Sequence, residues 1–401
     1  MDLNVLETFG GVYSETTAIR HILDLYGATS AHNNKSLSEA MLFGISGGIG
    51  FAYFNFEYEG YEPTLYIGVA QRYKTRFGQY MDSLYKRLSL ETTVKMTRSS
   101  QEAEKFLVDA LTRNQPVLLH VDRGFLPYYA EETEYGDHAI VVIGYEDASG
   151  DFLVADQAQV PITITRPDLS AARESIAALS NRSLTIAKPS APIDLSGGIE
   201  AGIRQCWDKM LNPPNPKNNF GLPGLEKWAE LINNARIKKG WLKVFPPGLH
   251  LYVGLQWTFK CIQLLETGGG GLRGMYADFL EEASEVVNRP GLKDLAKRYR
   301  TSEQLWTDLA QAALPDEVPL FKATKELLTR TEHLFLEKGM ESIPEMEGIR
   351  QEQNELTAQA TTDFPLNAHQ SQELLDDLHD RLVKIIDVER EASETLKNSF
   401  N

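Results

Sequence analysis

Apolar residues at Ala18, Ile19, Ile22, Leu23 and Tyr26 keep the spacing of one helix face and stop at Gly27, which predicts a helix opening at or near Ser14. A polar linker, Ser30 to Ser36, follows. Ser38-Glu39-Ala40-Met41-Leu42-Phe43-Gly44 then leads into Gly47-Gly48-Ile49-Gly50-Phe51-Ala52-Tyr53-Phe54, where glycines allow a tight turn ahead of an alternating aromatic strand. Ser99 to Thr112 reads as an amphipathic helix ending before Pro116, and Val117 to Val121 as a buried strand leading to Asp122. Two runs rich in β-branched residues come next, His138 to Tyr145 and Phe152 to Asp156, parted by Glu146-Asp147-Ala148-Ser149-Gly150. They predict an antiparallel hairpin. Beyond about Thr165 the texture becomes alanine, leucine and charge at helical intervals, broken at Pro213-Pro214-Asn215-Pro216 and Pro246-Pro247-Gly248. Leu249 to Glu266 and Met275 to Val287 read as helices, and two more are parted near Pro365. The pattern predicts an α+β fold with a sheet-bearing domain over 1–165 and a mostly helical domain over 166–401.

Folding the hairpin about its turn brings His138 and Asp156 onto nearly opposite rungs, where side chains on one face lie within roughly 5–8 Å. That is a base with its orienter. A nucleophile at a helix start would complete the set, and Ser14 in Gly10-Gly11-Val12-Tyr13-Ser14-Glu15-Thr16-Thr17-Ala18 stands at such a place. N–H groups and the dipole there favour negative charge, and a serine hydroxyl would pass its proton to His138 during attack. Each residue also has a purely structural explanation. Serine is a preferred N-cap worth about 1 kcal/mol, a strand histidine can be satisfied by a carbonyl, and aspartate often ends a strand at a turn. The other histidines, His21, His32 and His120 among them, show no comparable partner in the sequence, and no His-Glu-x-x-His metal motif occurs.

With 401 residues, 42% hydrophobic and 24% charged, the chain is that of a soluble globular protein of about two domains. No apolar stretch approaches the roughly 18 residues of a membrane span, and the first residues lack a signal-peptide pattern. A cytoplasmic location and no membrane partner are expected. Two cysteines, Cys206 and Cys261, lack metal-ligand spacing. A net charge of −16 argues against nucleic acid as a partner. Two short basic islands, Arg72 to Arg76 with Lys86-Arg87 and Arg236 to Lys239 with Lys243, suit either an exposed helix face or a small acidic ligand. The glycines at 47, 48 and 50 lack the lysine and the strand-first context of a nucleotide loop. Glu266-Thr267-Gly268-Gly269-Gly270-Gly271-Leu272-Arg273 is either a flexible connection or a place where a ligand approaches the main chain, with Arg273 available to Glu266 or to an anionic substrate.

Several stretches together resemble the butirosin biosynthesis protein H family. They are Ser14 to Arg20, Leu37 to Gly44, Gly47 to Tyr53, Leu126-Pro127-Tyr128-Tyr129 and His138 to Asp156, then Phe220-Gly221 with Leu225, and Glu266 to Arg273 leading to Phe279-Leu280-Glu281-Glu282-Ala283. The resemblance runs over about residues 8–340. It implies a papain-like N-terminal domain, a helical C-terminal domain, and acyl transfer in natural-product assembly from an acyl-carrier-protein thioester to an amine. Residue by residue, Ser14 takes the nucleophile position, His138 the base and Asp156 the orienter. Candidate substrate-binding positions are Tyr13, Glu15, Glu266, Gly269, Gly270 and Arg273. No bound cofactor or metal is implied beyond the carrier's phosphopantetheine arm, and self-association is left open. The family usually shows His-Cys where this chain has Tyr13-Ser14, so a serine variant with a Ser-His-Asp triad is expected. Papain-like enzymes often place an oxyanion glutamine about six residues before the nucleophile, where this chain has Thr8. The same triad could serve an amidase or thioesterase, acylation could end in cyclisation, and loss of the cysteine could leave a non-catalytic binding protein.

Overall fold

The computed structural model describes residues 9–57, 63–70, 80–129, 136–145, 149–213, 218–234 and 236–400. Thr8, Arg72 to Arg76, Glu146 to Ala148 and Pro214 to Pro216 lie outside the described residues. Among those described the strands are β1 (Ile49–Phe56), β2 (Thr64–Ala70), β3 (Thr92–Lys95), β4 (Val117–Asp122), β5 (Asp137–Tyr145), β6 (Phe152–Ala155), β7 (Ile162–Ile164) and β8 (Ser183–Ile186). All strand pairs within the sheets are antiparallel. The architecture is mixed α/β, as the sequence patterning indicates.

Strands β3 to β8 form one sheet in the order β3-β8-β4-β5-β6-β7. Its central strands are the apolar runs of the sequence: every residue of β4 is buried, as are Ile140 to Ile143 of β5. Helix α1 (Ser14–Leu25) packs on β5, and the helix Arg166–Glu174 packs on β4. The helix Ser100–Thr112 is capped by Ser99, whose side chain accepts the Glu102 N–H at 3.3 Å.

Two compact units divide the chain, and neither is one continuous stretch. The first comprises Met1–Leu42, Thr75–Gly198 and Thr331–Gly348. Residue 165 lies inside this unit, since β8, Ser183–Ile186, stands between β3 and β4 in the sheet. Pairing partners far apart in sequence leave no local signal of this kind.

The second unit comprises Phe43–Lys74, Ile199–Arg330 and Ile349–Asn401. The aromatic strand β1 belongs here, paired with β2. Phe51 and Tyr53 of β1 stack on Trp228 with ring centroids 6.0 and 5.9 Å apart, and Trp241 donates to the Tyr53 hydroxyl at 2.9 Å. Trp306 closes this buried aromatic cluster, 6.4 Å from Trp228. The helices expected around the glycine run are Leu249–Gln263 and Arg273–Val286, and those parted near Pro365 are Ile343–Thr362 and Ala368–Phe400. None of the described helices is long and apolar enough to cross a membrane.

Candidate active site

Helix α1 forms because its apolar face covers β5, and its start is held from outside its own sequence. Tyr13 occupies the N-cap position without a side-chain cap bond, so Ser14 is the first helical residue rather than the cap. Capping comes from Glu39, at the start of α2 (Glu39–Ser46). Its carboxylate accepts from the N–H groups of Val12 at 3.1 Å and Tyr13 at 2.8 Å, and from the hydroxyls of Thr16 at 3.1 Å and Thr17 at 2.9 Å. A carboxylate at a helix N-terminus is favourable by about 0.3–1 kcal/mol, more when part-buried. Ser14 is left fully buried in the first turn of α1, with Tyr13 and Glu15 buried beside it.

The candidate base lies on β5. His138 Nε2 lies 2.9 Å and 3.1 Å from the two carboxylate oxygens of Asp156, both residues being buried. A carboxylate only accepts, so Nε2 carries the proton and Nδ1 is the basic nitrogen. A register shift makes this pairing. On the turn side Gly144 faces Leu153 and Tyr145 faces Phe152, whereas past the irregularity Val142 faces Val154 and Val141 faces Ala155. Continued one rung, the inner register sets Asp156 against Ile140, on the same face as His138; the outer register would set it against Val141 on the other face. The two residues are diagonal neighbours rather than nearly opposite, and the bulge near Gly144 is what gives them a common face.

Asp156 is itself fully engaged. It accepts from Tyr128 at 2.9 Å, Tyr129 at 3.3 Å and its neighbour's backbone, the Gln157 N–H, at 2.7 Å. Burial first, and then the Asp156 charge, push the Tyr128 hydroxyl well above its ordinary range, so it remains a donor. The Tyr129 ring stands edge-on to His138 with its hydroxyl 3.3 Å from Nε2. The Phe335 and Tyr129 ring centroids are 4.2 Å apart, and the Arg123 guanidinium lies over the Tyr129 ring, 3.9 Å from its centroid. The Gln157 side-chain amide donates to the Val12 carbonyl, tying the strand that holds the acid to the segment entering α1.

Two family models match the chain. Residues 14–157 match the model described as butirosin biosynthesis protein H, N-terminal, and residues 167–319 match a domain of unknown function, DUF4872. The chain thus carries a butirosin biosynthesis protein H N-terminal domain followed by a DUF4872 domain. Ser14, His138 and Asp156 all fall within the matched N-terminal domain of that family. No curated protein matches the chain.

Beside Ser14 and His138 the structure places charged partners that sequence spacing hides. His120 has its Nδ1 2.9 Å from Asp137 and 3.8 Å from Glu15, correcting the expectation that it lacks a partner. Although burial lowers it, the two carboxylates raise its pKa above the ordinary histidine value. Glu15 is buried at this cluster. These three residues hold ligand-type atoms within 4.8 Å of one another, the donor set a divalent ion would need.

His21, two turns along α1, goes the other way. Burial and then Arg20 lower its pKa to about 3, while the nearby Asp156 opposes the shift. The ring is neutral when folded and its Nδ1 has no hydrogen-bond partner among the described residues. Because its folded pKa lies below the unfolded value of about 6.5, stability is unaffected above that pH and declines as pH falls from there toward 3. A His21→Phe variant is expected to lose part of the acid sensitivity of the urea midpoint between pH 7 and 4. An unchanged slope would remove His21 as its source.

In the DUF4872 region the substrate expectations for the glycine loop are corrected in part. Arg273 pairs with Glu389, not Glu266, through Nε at 2.7 Å and Nη2 at 3.0 Å. Its remaining donors go to the carbonyls of Gly50, Val69 and Gly271 at 3.2, 3.2 and 2.7 Å. All five N–H groups of a guanidinium are thus used, leaving none for an anionic substrate. Gly269 and Gly270 have φ of +87° and +50°, and a Cβ on Gly270 would lie 2.6 Å from Glu303. Backbone conformation and close packing explain these glycines. Glu266 enters the loop half-buried with φ +56°.

Proposed function

We propose that this chain is an acyltransferase of natural-product biosynthesis, built on a papain-like N-terminal domain, that carries an acyl group on Ser14. The observation that supports it most is the buried His138–Asp156 pair, braced by Tyr128 and Tyr129, in a domain matched to butirosin biosynthesis protein H from Ser14 onward. Ser14 Oγ attacks the carbonyl of a thioester on an acyl carrier protein's phosphopantetheine arm, its proton passing to His138 Nδ1. The carbon–sulfur bond breaks and the sulfur leaves as a thiol with that proton. An amine or hydroxyl acceptor then attacks the Ser14 ester, giving its proton to His138, which returns it to Ser14 Oγ. The Ser14 N–H is the assigned oxyanion donor at the start of α1. Asp156 fixes the histidine tautomer and supports the imidazolium between the two half-reactions. An acceptor within the acyl group itself would make the reaction a cyclisation.

Intact-protein mass spectrometry with acyl-loaded carrier protein tests this. A Ser14-linked acyl adduct should appear in the wild type, disappear on adding amine with formation of amide, and be absent in Ser14→Ala. Hydrolysis without amide would make the chain a thioesterase. The complete burial of Ser14 favours a second reading, a binding protein that keeps the domain without the chemistry. Equal turnover in Ser14→Ala would remove covalent catalysis, and no adduct with any carrier-bound acyl group would favour the binding protein.

A further inference from the structure

We propose that His120 is a positioning residue for this site: its imidazolium draws Glu15 and Asp137 to one ring nitrogen and so fixes their chain neighbours, Ser14 and His138, relative to each other. The inference rests on the acyl-transfer reading above and concerns residues outside the triad. His120 lies on β4 opposite Ala139, while Val121 faces His138 and Asp122 faces Asp137. Alternation along β5 puts Asp137 on the face of His120 and His138 on the other. His120 therefore grips β5 from the side away from the base. Its second arm reaches α1 at Glu15, one residue past Ser14, so one buried group contacts both elements of the triad one step from the chemistry.

The charges explain why the grip needs a proton. Glu15, His120 and Asp137 side chains are 2–3% exposed, and two carboxylates so close in a dry site cannot both ionise without a cation between them. The groups facing His120 are Glu15 from α1, Asp137 from β5 and Arg182 from the turn before β8. Asp122 shares its face one rung pair along, with its carboxylate turned to the N–H groups of Gly124 and Gly136 at 3.0 and 3.3 Å. Tyr85, from the helix Asp82–Arg87, senses Glu15 and Arg182, and burial first and Glu15 second keep its hydroxyl neutral. Arg182 also pairs with Asp82 of the helix Asp82–Arg87 at 3.9 Å, so His120 is the cation placed directly against both Glu15 and Asp137.

Two measurements on the full-length protein test the clamp. In 15N-histidine NMR, the His120 signals, assigned by their loss in His120→Gln, should remain those of an imidazolium at pH 7.5; a neutral ring at that pH overturns the proposal. Ser14 acylation by a short-chain N-acetylcysteamine thioester should slow by up to about a hundredfold in His120→Gln, at unchanged half-saturating donor, as expected for misplacement of about 1 Å. The wild-type rate should also fall at alkaline pH as His120 deprotonates, and that limb should be missing in the variant. Glu15→Gln, which keeps the cation and cuts one arm, provides the same readout should His120→Gln not fold, with a smaller loss of about tenfold. Wild-type acylation rates in the folded variants overturn the clamp alone. A stoichiometric divalent ion in the purified protein that is lost in His120→Gln also overturns it, in favour of a metal site. Absence of any adduct in the wild type overturns the acyl-transfer reading, and with it the purpose assigned to the clamp, whatever the NMR result.

Discussion

Asp156→Asn is expected to slow acylation of Ser14 by roughly ten-thousandfold while leaving the fold intact. The amide has nearly the shape of the carboxylate, and its oxygen can still accept from the Gln157 N–H or a tyrosine hydroxyl. What changes is the other half of the group. An NH2 facing His138 Nε2 donates where the carboxylate accepts, so the ring moves its proton to Nδ1 and the basic nitrogen is lost. His138→Ala should be at least as slow, and the double variant scarcely slower than either single, because the pair acts as a unit. Single-turnover mass spectrometry measures all three. A loss of less than about tenfold in Asp156→Asn would mean that His138 is not oriented through this carboxylate.

The second large effect is on stability. Glu389→Ala should destabilise the helical unit by about 3–5 kcal/mol, because removing one partner leaves a buried guanidinium uncompensated. Glu389 meets more than Arg273: Ser302 donates to it at 2.8 Å and the Trp306 indole at 2.7 Å, and the Arg273 guanidinium lies 4.7 Å over the Trp306 ring. Four donors therefore lose one acceptor at once. The double change Arg273→Met with Glu389→Leu should recover much of the loss, since a packed apolar pair of similar volume removes both charges. Chemical denaturation followed by tryptophan fluorescence suits the test, as Trp306 and Trp228 lie in the same aromatic cluster. A single variant with wild-type unfolding would show that the pair contributes nothing net.

The sequence made α1, the central strands and the helices around the glycine loop legible because each has a local signature, helical apolar spacing or a β-branched run. The pairing of His138 with Asp156 was legible from two strands and a turn, although the bulge that puts them on one face was not. A single extra residue changes strand register without changing composition. Glu39, Tyr128 and Tyr129 lie in stretches that carry the family resemblance, yet their roles as cap and as acid supports depend on contacts 22 to 28 residues apart. The partnership of His120 with Asp137 had a faint signal in the alternation of two adjacent strands. Arg273 shows the converse. An arginine after four glycines invites a ligand reading, and only a glutamate 116 residues later explains it.

The interleaving of the two units bears on how the protein emerges from the ribosome. Phe335 packs on both Tyr128 and Tyr129, yet it belongs to a segment, Thr331–Gly348, made after most of the helical unit. A nascent chain exposing everything up to Arg330 has Ser14, His138 and Asp156 synthesised but lacks the Phe335 ring that packs on Tyr128 and Tyr129, the tyrosines that donate to Asp156. Completion of the first unit thus waits on translation of the second, and the same threading bars exchange of either unit between relatives by a single recombination crossover.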